Sequence, residues 1–160
     1  MSRISIICVG KIKEKYWIEA IAEYSKRLSR YCKLDIIEVA DEKTPDDAPE
    51  ALCEQIKKKE ADRILEALDD KAKMCTLEIK GKKLSSEGLS EFIGKQGVNG
   101  INHIQFIIGG SLGLHESVLK KSQMAISFSD MTFPHQMMRV ILLEQIYRSY
   151  RILNGEPYHK

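Results

Sequence analysis

Long apolar runs are missing from this 160-residue chain. None approaches the roughly 20 residues that a helix needs to cross a bilayer, so no membrane span is expected. The opening segment, Met1 to Lys11, has too short an apolar stretch and no small-residue cleavage site for a secretory signal, and reads as a first strand instead. The cysteines, Cys8, Cys32, Cys53 and Cys75, are scattered. Without a CxxC or a Cys/His pair at ligand spacing, no metal site is expected. Nothing points to an oxidising compartment, so the thiols are expected free and buried in a cytoplasmic protein. GxSxG and a phosphate-binding P-loop are also absent, and no cysteine stands in a nucleophile context. Hydrolase and P-loop chemistry find no support.

What is there begins with an uneven charge. The formal net charge is only +2, but residues 1–33 carry eight Lys/Arg against three Asp/Glu, and residues 34–80 carry eight against fourteen. The basic N-terminal segment is either an RNA-facing surface or a solvated helix face. The chain is long enough for one domain, 1–160, with no linker, repeat or low-complexity tract.

Periodicity then orders the chain. Arg3–Val9 reads as a strand closed by Gly10, and Tyr16 to Tyr31 as a helix with Trp17, Ile21, Tyr24, Leu28 and Tyr31 on one stripe. Lys33–Val39 is a second strand, followed by a polar loop from Asp41 to Pro49 and a charged helix from about Ala51 to Leu68. Met74–Ile79 is a third strand, ended by Lys80-Gly81-Lys82, and Ser85 caps the next helix with Glu87 in its first turn. Strands follow at His103–Ile108 and Met124–Phe128, separated by a short helix from about His115 to Lys121, and His135 to about Leu153 is the last helix. Strict alternation predicts an α/β fold with a mostly parallel sheet and helices on both faces.

Ligand chemistry concentrates in the last third. Gly109, Gly110 and Gly113 follow a buried strand, where glycine is either a purely structural turn or an opening for a ligand to approach main-chain N–H groups. The spacing is GGxxG, and no acidic residue closes the next strand, which disfavours a nicotinamide site. The loop Phe128-Ser129-Asp130-Met131-Thr132-Phe133-Pro134 mixes hydroxyls, a carboxylate and apolar groups. It is either a slot suited to an adenine ring or a plain strand-to-helix connection. The last helix is apolar round most of its circumference, which means either a partner subunit on one face or central burial. Arg139, one turn from the loop, is suited to a phosphate or carboxylate. Tyr158-His159-Lys160 offers an aromatic, an imidazole and a cation, at a terminus of the kind that is commonly frayed.

Three blocks in order, FIIGGSLGLH, SFSDMTFPHQMMRVILLEQIYR and GEPYHK, with the opening IICVGKIKEKYW and the internal TLEIKGKKLSSEGL, closely resemble the RlmH family of SPOUT-class methyltransferases. The likeness runs over essentially the whole chain and departs mildly at Leu112, where a polar residue is more usual. It implies a C-terminal trefoil knot, which composition and periodicity do not reveal, and a homodimer. It implies S-adenosylmethionine bound by Leu77, Gly109, Phe128, Ser129, Asp130, Met131, Thr132 and Phe133. The implied reaction is methyl transfer to N3 of the pseudouridine numbered 1915 in helix 69 of 23S ribosomal RNA, on the assembled ribosome. His159 is then the candidate base, Tyr158 stacks the target, and Arg139 holds RNA or helps orient the donor. A SPOUT enzyme with another RNA target, such as tRNA, and a catalytically silent ribosome-binding dimer are the competing readings.

Overall fold

The computed structural model describes residues 1–160. Strands and helices alternate: β1 (Ser2–Val9), α1 (Lys15–Leu28), β2 (Cys32–Val39), α2 (Glu50–Ala67), β3 (Lys73–Lys83), α3 (Ser86–Val98), β4 (His103–Ile108), α4 (Glu116–Leu119), β5 (Met124–Ser127) and α5 (His135–Leu153). The strands form one sheet, ordered β2-β1-β4-β3-β5, in which every neighbouring pair is parallel. The central strands are apolar on both faces because both are covered. Ile4, Ile6 and Cys8 of β1 point into one core with Leu89, Ile93, Leu142, Leu143 and Ile146 of α3 and α5. Ile7 and Val9 point the other way, onto Ala61 and Ile64 of α2 and Val118 of α4.

Helix ends follow local chemistry. The Ser85 hydroxyl accepts the Gly88 N–H at 3.0 Å, the cap expected from the sequence. Pro134, which has no N–H to lose, stands at the entry to α5.

β3 departs from the expected end at Ile79. Ile126 of β5 pairs first with Leu77 and again with Lys82, so Glu78 to Gly81 are gathered between two halves of one strand. Gly81 marks a close crossing rather than a stop: a Cβ there would lie 2.8 Å from main-chain atoms of Ala125 and Ile126. Local composition signals a break, but pairing with β5 carries the strand on.

Since all strands are parallel, their C-terminal ends share one rim. β5 lies at the outer edge, yet α5 starts beside β1, with His135 Cε1 3.9 Å from where a Gly10 Cβ would sit. Residues 128–134 therefore pass the ends of β3 and β4, about 14 Å at the usual strand spacing. The rim of an open α/β sheet, where strand order reverses, is where ligands bind.

Candidate functional site

Three connections meet at this rim. Leu77 is the last β3 residue before the crossing and is half-buried against the larger core. After β4, Gly113 donates its N–H to the Gly110 carbonyl at 3.0 Å and adopts φ +84°, a conformation open to glycine. A Cβ on Gly109 would come 2.9 Å from the Gly113 carbonyl carbon, so glycine is required at 109 by the turn itself. After β5, the Ser129 hydroxyl accepts the Met131 N–H at 3.0 Å, and Ser127 donates its hydroxyl proton to the Ser129 carbonyl at 3.2 Å. Asp130 is held by Lys83 at 2.5 Å, tying the loop to the end of β3.

Under this loop lies a cavity of about 290 Å³, near the lower bound of ordinary ligand pockets. Phe128, Phe133, Leu84, Leu89, Ile126 and Ile141 supply apolar walls, and Ser85, Ser86, Ser127 and Gln145 supply polar groups. Of the residues expected to hold a cofactor, Phe128 and Phe133 line this cavity. Ser129 is half-buried, Asp130, Met131 and Thr132 are exposed on the loop, and Leu77 and Gly109 stand on neighbouring strand ends outside the lining. A flat apolar slot with a few hydroxyls suits a heteroaromatic ring, so this donor set fits an adenine-bearing cofactor.

Arg139 corrects the expectation that it meets RNA or the donor. It is 2 % exposed, with its guanidinium on Glu38 at 2.6 Å and on the carbonyls of Val9 and Gly10 at 3.2 and 2.6 Å. It fastens the start of α5 to the ends of β1 and β2. One turn earlier, His135 has a buried Nδ1 without a partner, and burial, aided by nearby Arg139, holds its pKa below the usual imidazole value.

The C-terminal residues are anchored along α5 and α3. The Tyr158 hydroxyl donates to Glu144 at 3.1 Å, its ring meets Tyr147 edge-on, and the Arg148 guanidinium lies 4.7 Å from the ring centre. Burial and the Glu144 carboxylate raise the Tyr158 pKa, so its hydroxyl stays protonated. Glu156 joins Tyr31 and Arg151. His159 places Nε2 2.6 Å from Glu87 and Nδ1 3.2 Å from Arg148. Guanidinium can only donate, so Nδ1 accepts and Nε2 carries the proton towards the carboxylate. In that tautomer the Nδ1 lone pair faces Arg148. The fraying common at termini is overridden by these partners.

Sequence reasoning missed the α3 entrance, Leu84 to Ser86, and Gln145, which hydrogen-bonds Ser86 at 2.7 Å. It also missed Glu60, buried to 5 % beneath the glycine turn, its carboxylate 3.2 Å from where a Gly110 Cβ would sit. Burial raises the pKa of Glu60. The signal was present: Glu60 is four residues from both Ile56 and Ile64 and so shares their inward face. Burial disfavours thiolate chemistry at three cysteines, pushing Cys75 up to about 12 and Cys8 and Cys32 to about 11, whereas Cys53, expected to be buried, is only half-buried.

An all-parallel sheet with three connections meeting at one rim is an architecture that known enzymes share. The family model described as "Predicted SPOUT methyltransferase" matches residues 2–159. Among solved structures, the chain resembles a probable methylase family protein from Haemophilus influenzae (TM-score 0.55, 14 % identity, covering 99 % of this chain and 70 % of that one). It also resembles the tRNA (m1G37) methyltransferase from Aquifex aeolicus (TM-score 0.54, 17 % identity, covering 91 % and 69 %). At those identities the likeness concerns the fold. Sequence goes further. The chain is 60 % identical over 158 residues, 99 % of each chain, to Ribosomal RNA large subunit methyltransferase H of Bifidobacterium adolescentis. It is 60 % identical over 157 residues, 98 % of this chain and 99 % of the relative, to the protein of that name in Clostridium botulinum. The chain belongs to the SPOUT methyltransferases and, within that class, to the ribosomal RNA large subunit methyltransferase H family, the RlmH family of the sequence comparison.

Proposed function

We propose that this protein transfers a methyl group from S-adenosylmethionine to N3 of pseudouridine 1915, in helix 69 of 23S ribosomal RNA, on the assembled ribosome. It acts as a cytoplasmic homodimer of single-domain chains. The observation that carries the reading is the 60 % identity, end to end, with proteins named for large-subunit ribosomal RNA methylation. Converging loops at the sheet rim, with an apolar, hydroxyl-bearing cavity beneath one of them, support it. The passage of residues 128–134 beside the β3 crossing is where the trefoil knot would form.

In this reading Leu77, Gly109 and the loop from Phe128 to Phe133 hold the cofactor, which supplies a methyl group already activated on a sulfonium. The protein's contribution is chiefly alignment. Phe128 and Phe133 exclude water and flank the ring, while main-chain groups of the Gly109–Gly113 and Ser129–Met131 turns fix its polar edges. The Lys83–Asp130 pair holds that loop in place. Arg139 acts indirectly, by setting where α5 begins. Tyr158 stacks on the target base. His159 receives the N3 proton at Nδ1 once Arg148 releases that atom, while Glu87 keeps the other proton on Nε2. The half-exposed apolar residues of α5, Met137, Val140, Ile141 and Ile152, together with exposed Leu153, are the surface for the second subunit.

Purified protein incubated with radiolabelled S-adenosylmethionine and ribosomes lacking this methyl should label 23S RNA at helix 69. Label in tRNA instead would turn the reading to another SPOUT substrate. Absence of any heat on calorimetric titration with the cofactor would leave a silent ribosome binder.

A further inference from the structure

Resting on that functional reading, the rim carries a feature that the cofactor site does not use. Lys11 and Lys13 follow β1, and Lys80 and Lys82 lie where β3 crosses β5. All four are exposed and none has a carboxylate partner, whereas their neighbours Lys15 and Lys83 are paired with Glu19 and Asp130. Lys82 pairs with Ile126 of β5, and β5 is separated from β1 by β3 and β4, so the two pairs stand at least about 14 Å apart along the rim, with lysine arms free to reach further. Residues 128–134 run between them.

Past β1 the rim changes sign. Asp46, Asp47, Glu50 and Glu54, all exposed, follow β2 and would repel a polyanion. The positive ground is therefore bounded, and it is centred on the cofactor loop rather than spread over the molecule. Ile79 and Met131, 50 % and 72 % exposed, add apolar surface beside it, suited to the face of an unstacked base. Unpaired ammonium groups on both sides of an apolar gap match a backbone of regularly spaced phosphates with one nucleotide turned inward.

We propose that the RNA substrate is held astride the cofactor loop. Lys11 and Lys13 contact phosphates on one side of the target nucleotide, and Lys80 and Lys82 contact phosphates on the other. The contacts are electrostatic, so they set affinity and placement and leave recognition of the base to the site between them.

The test compares Lys11→Glu/Lys13→Glu, Lys80→Glu/Lys82→Glu and a control, Lys71→Glu/Lys121→Glu. The control makes the same charge change at exposed, unpaired lysines near the opposite ends of β3 and β5. Binding of a helix 69 hairpin RNA and of large ribosomal subunits is measured from 50 to 300 mM salt, alongside calorimetry with S-adenosylmethionine. Each rim pair should lower the slope of log affinity against log salt by about 1.4, two phosphates at roughly 0.7 each. Cofactor affinity should be unchanged, and the control should match the unaltered protein. Unchanged slopes in both rim variants would overturn the proposal. So would weaker RNA binding accompanied by dissociation into monomers on sedimentation, because the lysines would then belong to a subunit contact. RNA binding is read apart from methylation. Lysine-dependent binding without transfer to N3 would therefore contradict the functional reading and leave the docking surface standing.

Discussion

Gly81 sets the path of β3 by what it lacks. A methyl group there would be 2.8 Å from the main chain of β5, where neither partner is a flexible side chain. Gly81→Ala should therefore destabilise the fold by about 2 kcal/mol, in the range of overpacked sites, measured as a lower urea midpoint. Gly109 makes a similar demand on its own turn. Gly109→Ala pushes on the Gly113 main chain and should weaken S-adenosylmethionine binding about tenfold, roughly 1.4 kcal/mol, with the melting temperature changed by only a few degrees. Full affinity in that variant would remove the turn from the cofactor site. His135 reports on pH. Its folded pKa is depressed from 6.5, so between that lowered value and 6.5 the unfolded chain binds more protons. Stability therefore rises with pH across this window and falls as acid is added. His135→Gln should flatten that slope between pH 5 and 7 in denaturation curves.

At the scale of elements, α5 decides most. Leu142, Leu143, Ile146 and Tyr150 give it a buried stripe, and Arg139 clamps its first turns to β1 and β2. Arg139→Met removes a donor from two carbonyls and leaves Glu38 without its cation, with only the Ile12 N–H on its carboxylate. Glu38 is about a third exposed and can rehydrate, so the loss should be about 2 kcal/mol, below that of a fully buried pair. Deleting Tyr158 to Lys160 removes contacts with Glu144, Arg148 and Glu87 on the surface of α5 and α3. It should abolish turnover and leave cofactor binding intact, as read by calorimetry and methyl transfer in parallel. Much at this scale was legible in sequence. Ser85 was readable as a cap because capping is local, and α5 because its apolar residues outnumber one stripe. Arg139 was misread because its partner is 101 residues away in sequence. An arginine beside a ligand loop carries the same local signature whether it faces solvent or a buried carboxylate.

For the whole molecule, alternation of strands and helices sufficed for a parallel sheet covered on both faces, since each strand needs a crossover helix to return. Strand order was not legible, because β5 joins β3 by pairing Cys75 to Leu77, and again Lys82 and Lys83, with residues far away in sequence. The loops proposed to hold the cofactor are named by their resemblance to a family. Their convergence could not be read from local sequence, as it depends on three strand ends sharing one rim. In the proposed function these loops, the C-terminal residues and a second subunit together methylate one position in ribosomal RNA. The most direct test is mass spectrometry of helix 69 nucleosides from a strain lacking this protein, with and without the chain supplied in trans. N3-methylated pseudouridine should be missing in the first and restored in the second. An unchanged helix 69 in the deletion strain would contradict the account.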